Sequence, residues 1–147
     1  MQLLIVIDDE KGPMTFYLTA LTRSFEVMHL KGPDEAIAYV SDQSKPVPVA
    51  VVLDAMLPPG QKYVNNPDAK RGLRTGILLY EEVLRANWPE VPVIVLSNST
   101  AANNEIKEKY PHLPVYEKID VTPLDLVKIV QEIVKIRQSE LRAKAQT

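Results

Sequence analysis

The stretch Leu3–Glu10 reads LLIVIDDE, in which five apolar residues run without a break into three acids. Unbroken apolar runs of this length are typical of strands that helices cover on both faces of a sheet. Two similar runs, Val49–Leu53 and Val93–Leu96, also stop at polar residues, Asp54 and Ser97. We therefore predict that these three segments are central strands of a parallel sheet.

Shorter and more mixed apolar runs around Glu26–Leu30 and Val115–Ile119 add two edge strands, which makes five in all. Segments with helical spacing separate the runs, at Pro13–Phe25, Pro33–Ser41, Thr75–Asn87, Ala101–Tyr110 and from Pro123 to about Ala143. Strict alternation of strands and helices predicts an α/β, doubly wound fold with a parallel sheet. In such sheets the ligand site lies at the carboxyl ends of the strands, where the winding reverses.

The composition is that of an ordinary globular protein: 147 residues, 46% of them hydrophobic and 24% charged, which predicts one domain over residues 1–147. A net charge of −2 supplies no overall basic surface for nucleic acid. The run Leu3–Ile7 is too short for a signal peptide or a membrane span. Cysteine is absent, which excludes disulfides and thiolate chemistry. We expect a cytoplasmic protein without a nucleic-acid or membrane partner.

Polar side chains follow four of the predicted strands, namely Asp8, Asp9 and Glu10, then Asp54, then Ser97 and Asn98, then Lys118. Carboxylates gathered at one edge of a sheet repel one another, and a bound cation relieves that repulsion. Mg²⁺ suits such a site because it binds one or two carboxylates together with water and phosphate oxygens. Asp54 can then attack a phosphorus atom, while Lys118 and Ser97 contact the phosphoryl oxygens.

These residues resemble the motifs of a bacterial response-regulator receiver domain, similar to the chemotaxis regulator, over residues 1 to about 136. The acidic run after the first strand resembles the metal-binding acidic pair of the family. The stretch Asp54–Pro58 resembles its phosphoacceptor motif, an aspartate followed four residues later by proline. Ser97 and Lys118 stand where the family has its hydroxyl residue and its lysine. The resemblance implies a flavodoxin-like strand order, 2-1-3-4-5.

The resemblance also implies a chemistry and its partners. The Mg²⁺ ligands it implies are Asp8, Asp9, Asp54 and the backbone carbonyl of Met56, with Glu10 and Asn98 as further contributors. The phosphodonor is a phosphohistidine on a sensor histidine kinase or a phosphotransfer protein. Such a domain catalyses its own phosphorylation and dephosphorylation without being a turnover enzyme. It signals by contact with a downstream protein. The last helix is either purely core on its apolar face or, together with the fourth helix and the fifth strand, forms the surface for a partner or a homodimer.

Departures from the family pattern bear on the function, and three of them favour an alternative: the missing Lys-Pro pair, the shifted aromatic residue and the long insertion at 59–74. Ile119 follows Lys118 where the family has proline. Val115 stands three residues before the lysine, where an aromatic residue is expected, and Tyr116 comes one place later. Asn98 occupies a place usually held by a smaller residue, which narrows access to Asp54. The alternative is a receiver-like interaction module that works without phosphorylation, and Mg²⁺ binding separates the two functions.

The stretch Pro59–Arg74 has sixteen residues where the family has a short loop. Its net charge is +3, from Lys62, Lys70, Arg71 and Arg74 against Asp68. Loops this long inside a domain are either functional or without fixed structure. One hypothesis is a basic lid or partner-docking element beside Asp54, and the other is a mobile surface insertion.

Several site residues also have simpler interpretations. Asp8 and Asp9 can cap a turn, as aspartate often does. Ser97 can cap the helix that follows it, because serine is a favoured N-cap. His29 and His112 have no partner at ligand spacing, and the sequence assigns them no role.

Overall fold

The computed structural model describes residues 1–72 and 74–146 and, of Arg71, the backbone alone. Within these residues, five parallel strands form one sheet in the order β2-β1-β3-β4-β5. The strands are β1 (Leu3–Ile7), β2 (Glu26–Leu30), β3 (Ala50–Leu53), β4 (Val93–Ser97) and β5 (Val115–Glu117). The predicted α/β fold, its five strands and its strand order 2-1-3-4-5 are therefore confirmed.

The helices lie where the sequence spacing predicts them, with one addition in the insertion. They are α1 (Met14–Leu21), α2 (Pro33–Ser41), α3 (Gly60–Tyr63), α4 (Thr75–Leu79), α5 (Arg85–Asn87), α6 (Thr100–Lys109) and α7 (Pro123–Ala145). A π turn, Tyr80–Leu84, joins α4 to α5, so the helix predicted over 75–87 is one helical segment with a wider central turn. Two 3₁₀ turns cover Pro67–Gly72 and Lys118–Asp120.

Both faces of the sheet are covered by helices. Leu4 and Val6 of β1 belong to one apolar cluster with residues of α1 and α7. Ile5 and Ile7, which alternate with them, belong to a second cluster with residues of α2, α4 and α6. Successive strand residues point to opposite faces. A strand covered on both faces must therefore be apolar at every position, which explains the unbroken runs in the sequence.

The first helix is shorter than predicted. It ends at Leu21, and three residues then form hydrogen-bonded turns instead of continuing to Phe25. The N–H of Phe25 donates to the carbonyl of Leu21 at 2.9 Å, and the Phe25 side chain is buried. These turns bring the aromatic ring into the core directly before β2 begins.

The last helix begins as the sequence predicts. The hydroxyl of Thr122 accepts the N–H of Asp125 at 3.1 Å, and the Asp125 carboxylate accepts the N–H of Thr122 at 3.0 Å. This is a capping box, with Pro123 at the first helical position. Leu126, Val130 and Val134 are buried against the sheet, whereas the helix beyond Val134 is largely exposed.

No helix in the described part of the chain has both the length and the apolar character to cross a membrane.

The insertion has a local structure of its own, although Leu73 lies outside the described residues. It contains α3 and the first 3₁₀ turn, which share a small apolar cluster of Tyr63, Ala69 and Leu78. At its start, both carboxylate oxygens of Asp34 in α2 accept the N–H of Gln61 at 3.0 Å. At its end, Arg74 Nε donates to Glu105 Oε1 of α6 at 2.6 Å. The insertion is thus attached to two helices.

Candidate functional site

Three carboxylates meet at the carboxyl ends of β1 and β3, which are neighbours in the sheet. Asp8, Glu10 and Asp54 each offer one oxygen, and these oxygens lie within 4.8 Å of one another. Asp8 and Glu10 lie in the segment directly after β1, where a hydrogen bond from the N–H of Glu10 to Asp8 Oδ1 holds the two residues together. Asp9, between them, has an exposed side chain and does not belong to this group. Its role as a metal ligand stays a prediction.

Lys118 places a positive charge among these acids. Its Nζ lies 2.8 Å from Asp8 Oδ2, 2.9 Å from Glu10 Oε1 and 3.5 Å from Asp54 Oδ2. Burial lowers the pKa of Lys118, but the hydrogen bond to Asp8 and the charges of Asp54 and Asp8 outweigh it. The pKa therefore lies above the usual value for lysine. The amine is charged at neutral pH.

Asp54 is a buried carboxylate with defined donors. Its side chain is 3% exposed, and Oδ1 accepts the N–H of Met56 at 3.0 Å. Burial raises the pKa of Asp54 to about 6, because the ionised carboxylate loses its hydration, and the charge of Asp8 adds to the rise. This rise in the pKa is opposed by hydrogen bonds from Ser97 and Met56 and by the charge of Lys118. Asp54 is mostly ionised at neutral pH.

The donor set fits a small divalent cation. Mg²⁺ binds oxygen ligands at about 2.0–2.1 Å, so two oxygens that share it lie at most about 4.2 Å apart. The three carboxylate oxygens are already close to that spacing. When all are ionised, the three carboxylates and the ammonium of Lys118 together carry a charge of −2. Asp8, Glu10 and Asp54 are therefore the residues that could hold such an ion.

Asp8 is itself held in place from two sides. Its Oδ1 accepts the N–H of Glu10 at 2.8 Å, which is the turn-capping role that aspartate often has. Its backbone carbonyl accepts a hydrogen bond from Nε2 of His29, in β2, at 2.6 Å. Sequence reasoning assigned His29 no role. The sequence signal that could have found His29 is its position near the end of a strand that was predicted to lie beside the acids.

Ser97 is buried at the end of β4, beside Asp54, and its hydroxyl acts to lower the pKa of Asp54. Its alternative role as a helix cap is wrong, because Ser99 is the N-cap of α6 and accepts the N–H of Ala102 at 3.2 Å. Ser97 instead accepts the N–H of Ser99 at 3.3 Å. Asn98 is exposed, and its contribution to the site stays a prediction.

A glycine that the sequence did not single out packs directly against the backbone of Asp54. A Cβ on Gly76, in α4, would lie 2.5 Å from the carbonyl oxygens of both Asp54 and Ala55. The N–H of Gly76 donates to the Ala55 carbonyl at 3.1 Å. Only glycine allows the helix to approach the backbone of Asp54 and Ala55 this closely. Gly76 therefore helps to position Asp54.

The aromatic residue of β5 lies on the face of the sheet that α1 and α7 cover. Tyr116 packs against that cluster, together with Leu96 of β4, whereas Val115 packs against the other cluster. Side chains alternate along a strand, so Ser97, next to Leu96, belongs to the face opposite Tyr116. Tyr116 stands one residue after the position where the family pattern has an aromatic residue. Because side chains alternate along a strand, its ring therefore lies on the other face of the sheet.

The described cations of the insertion do not pair with the acidic group. Arg74 pairs with Glu105 at 2.6 Å, and the side chains of Lys62 and Lys70 are exposed. These contacts lend no support to a lid closed over Asp54. A partner-docking role for the insertion stays a prediction.

Comparisons with known proteins agree with this geometry at the level of the fold. No protein-family model matches the chain, and no curated protein matches it. Among solved structures, a response regulator receiver domain protein from Methanospirillum hungatei superposes with a TM-score of 0.71. It shares 16% sequence identity, and the match covers 95% of this chain and 98% of that one.

Two further solved structures show the same fold. A response regulator receiver protein from Sinorhizobium medicae has a TM-score of 0.65 and 20% identity, covering 92% of this chain and 96% of that one. NtrX from Brucella abortus has a TM-score of 0.73 and 19% identity, covering 99% of this chain but 29% of the longer protein. The expected resemblance is confirmed: this chain has the fold of response regulator receiver domains.

Proposed function

We propose that this chain is a phosphorelay receiver that accepts a phosphoryl group on Asp54 with the help of Mg²⁺. One observation carries the proposal. A buried carboxylate at the end of β3 lies 3.5 Å from the ammonium of Lys118 and within 4.8 Å of two further carboxylates. Clustered ionisable groups with a shifted pKa, gathered at the carboxyl edge of a doubly wound sheet, are typical of functional sites.

The reaction that this arrangement serves is an in-line phosphoryl transfer. A carboxylate oxygen of Asp54 attacks the phosphorus atom, and the bond between phosphorus and the donor's imidazole nitrogen breaks. The product is an aspartyl phosphate, and the released imidazole takes a proton from solvent. Ionised Asp54 is the required nucleophile, and its pKa of about 6 leaves it mostly ionised at neutral pH.

Lys118 and Ser97 are placed to receive the negative charge that the phosphoryl group brings. The ammonium of Lys118 already contacts all three carboxylates, so a small shift brings it to an incoming phosphoryl oxygen. The hydroxyl of Ser97, which lies beside Asp54, offers a second donor. Such donors act strongly because the site excludes most water.

When bound, Mg²⁺ would neutralise the oxygens of the phosphoryl group during transfer. Asp8, Glu10 and Asp54 are the side chains that would hold it. The backbone carbonyl of Met56, together with Asp9 and Asn98, completes the proposed ligand set. The sequence resemblance made Glu10 a further contributor to the metal site. In this proposal it is one of the three carboxylate ligands, because it shares the acidic group with Asp8.

The proposed phosphodonor is a sensor histidine kinase or a phosphotransfer protein, and the signal passes to a downstream protein by contact. The receiver fold and the site chemistry support these partners. Cytoplasmic location belongs to the same proposal.

A second function, a receiver-like interaction module without phosphorylation, is favoured by one observation. Lys118 already bonds to Asp8 and Glu10, so the acids have a cationic partner without any metal. The two functions differ in their need for a divalent ion. An interaction module requires no Mg²⁺ affinity, whereas the phosphoacceptor does.

The experiment is phosphorylation with acetyl phosphate, followed by intact-mass spectrometry with and without Mg²⁺. We expect the gain of one phosphoryl group in Mg²⁺ and none in Asp54→Asn. Mg²⁺ binding is measured in parallel by calorimetry. A chain that binds neither the ion nor the phosphoryl group would be assigned to the interaction module instead.

A further inference from the structure

The hydroxyl of Tyr17 in α1 bonds to the turn that carries Lys118. It lies 2.6 Å from the carbonyl oxygen of Val121 and 3.0 Å from the carbonyl oxygen of Lys118. Both distances are within hydrogen-bond range, and the single proton of the phenol donates mainly to the nearer oxygen. Tyr17 thereby joins two parts of the chain that are about a hundred residues apart in sequence.

The turn needs such support because Lys118 lies beyond the last paired residue of β5. The strand ends at Glu117, and a 3₁₀ turn follows over Lys118–Asp120. Within the turn, the N–H of Val121 donates to the Lys118 carbonyl at 3.2 Å. Ile119 is 87% exposed, so the packing of its side chain does not hold the turn in place. Among the hydrogen bonds of the described residues, those from Tyr17 are the side-chain bonds to the backbone carbonyls of Lys118 and Val121.

The position of this turn decides where the ammonium of Lys118 lies. Nζ contacts three carboxylates at the same time, at 2.8, 2.9 and 3.5 Å. A shift of this backbone moves the origin of the Lys118 side chain and so lengthens its contacts to the acids. In sites of this kind, small displacements of a charged group cost much of its effect.

We propose that Tyr17 is a positioning residue whose hydroxyl holds the 118–121 turn, so that the ammonium of Lys118 lies among Asp8, Glu10 and Asp54. The functional part of this inference rests on the proposed phosphoacceptor role of Asp54. The structural part, the placement of Lys118 by Tyr17, is independent of phosphorylation and has its own test.

The structural test compares Tyr17→Phe with a matched control, Tyr39→Phe. Tyr39 also donates its hydroxyl to a backbone carbonyl, that of Pro46, at 2.7 Å, but it lies on α2 and has no contact with the turn. Both variants keep the ring and remove one hydroxyl. A general loss of stability therefore affects both, and only a change specific to Lys118 separates them.

Reductive methylation of lysines, followed residue by residue by mass spectrometry, reports how accessible the Lys118 amine is. We expect the methylation rate of Lys118 to rise about fivefold in Tyr17→Phe, as the loss of one hydrogen bond allows. In Tyr39→Phe it stays within about twofold of the natural chain, in the range of neutral effects. Equal Lys118 rates in the two variants would overturn the positioning role.

The functional test measures the rate of phosphorylation by acetyl phosphate at saturating Mg²⁺. We expect about a fivefold slower rate in Tyr17→Phe, since one positioning hydrogen bond is lost. Tyr39→Phe keeps the natural rate. An unchanged rate in Tyr17→Phe would overturn the functional part. If the natural chain itself takes up no phosphoryl group, the proposed function fails, and the methylation result still decides whether Tyr17 places Lys118.

Discussion

The acidic site and the insertion beside it are built in different ways. In the site, groups from the ends of separate strands meet, and the charged groups of Asp8, Asp54 and Lys118 are almost completely buried. The insertion has one small apolar cluster and two polar attachments at exposed or half-exposed side chains. We expect changes in the site to alter chemistry and stability strongly, and changes in the insertion to act locally.

The largest effect is expected at the centre of the site. Lys118→Ala removes the one ammonium that contacts all three carboxylates. We expect phosphorylation by acetyl phosphate to slow by about 100-fold or more, as when a charge-stabilising donor is removed from an active site. The measurement is the rate of phosphoryl gain by intact mass at saturating Mg²⁺.

Lys107→Ala is the control, because Lys107 is an exposed lysine of α6 outside the acidic group. Its rate should equal that of the natural chain. A comparable loss in both variants would mean that net charge, and not the place of Lys118, governs the reaction.

Gly76→Ala tests how closely α4 packs against the backbone of Asp54 and Ala55. Alanine usually stabilises a helix, but here its Cβ would meet two carbonyl oxygens at 2.5 Å. We expect the free energy of unfolding to fall by about 1–3 kcal/mol, as in overpacked cores. Urea denaturation measures the change.

Gly12→Ala is the matched control, because nothing lies within 4 Å of a Cβ at Gly12. It should change the stability by less than about 0.5 kcal/mol, as surface substitutions usually do. If Gly76→Ala is equally harmless, α4 does not pack against Asp54 as closely as described.

The pH dependence of stability tests the burial of Asp54. Its pKa of about 6 in the folded chain exceeds the ordinary value of 3.8, so the folded state holds a proton that the unfolded state has lost. Without metal, stability therefore falls as pH rises from about 4 to 6. The stability of Asp54→Asn does not show this fall, so the variant should be about 3 kcal/mol more stable than the natural chain at pH 8. Near pH 4 the difference should disappear.

Asp125→Asn should show the opposite trend, because hydrogen bonds to Thr122 lower the pKa of Asp125. That carboxylate stabilises the folded state above its ordinary pKa, and the contribution is lost as pH falls. The variant is therefore less stable than the natural chain at pH 8 and near pH 4 alike, and the gap closes only as pH falls below 3.8. Urea denaturation in EDTA at the two pH values measures both variants, and a gain for Asp54→Asn that is the same at both would contradict the assigned burial.

The smallest effect is expected in the insertion. Asp34→Ala removes the carboxylate that accepts the N–H of Gln61. We expect amide hydrogen exchange over Gly60–Tyr63 to become about fivefold faster, as one surface hydrogen bond is lost. Asp34→Asn keeps an acceptor oxygen, so its exchange rate should lie between those of Asp34→Ala and the natural chain. The phosphorylation rate should stay unchanged, and a slower rate would revive the lid hypothesis.

Much of the fold could be predicted because the strongest signals are local. Apolar runs such as Leu3–Ile7 identify buried strands, and the Thr122–Asp125 pattern identifies the start of α7. The internal structure of the insertion was not predicted. Its α3 has four residues, and helices that short depend on tertiary contacts such as the one between Gln61 and Asp34.

The site was predicted in outline, because residues that follow parallel strands must meet at one edge of the sheet. Asp8, Asp54 and Lys118 do come together there. The contributions of Tyr17, His29 and Gly76 were not predicted. Each depends on a contact between distant parts of the chain, such as the Tyr17 hydroxyl at the Val121 carbonyl, and no local pattern marks it.

The most direct measurement is to identify the residue that carries the phosphoryl group. After incubation with acetyl phosphate, borohydride reduces an aspartyl phosphate to homoserine, and peptide mass spectrometry locates the change. We predict homoserine at position 54, formed in Mg²⁺ and absent in EDTA. Homoserine at another aspartate, an equal yield without Mg²⁺, or none at all would contradict the assignment of Asp54 as the phosphoacceptor.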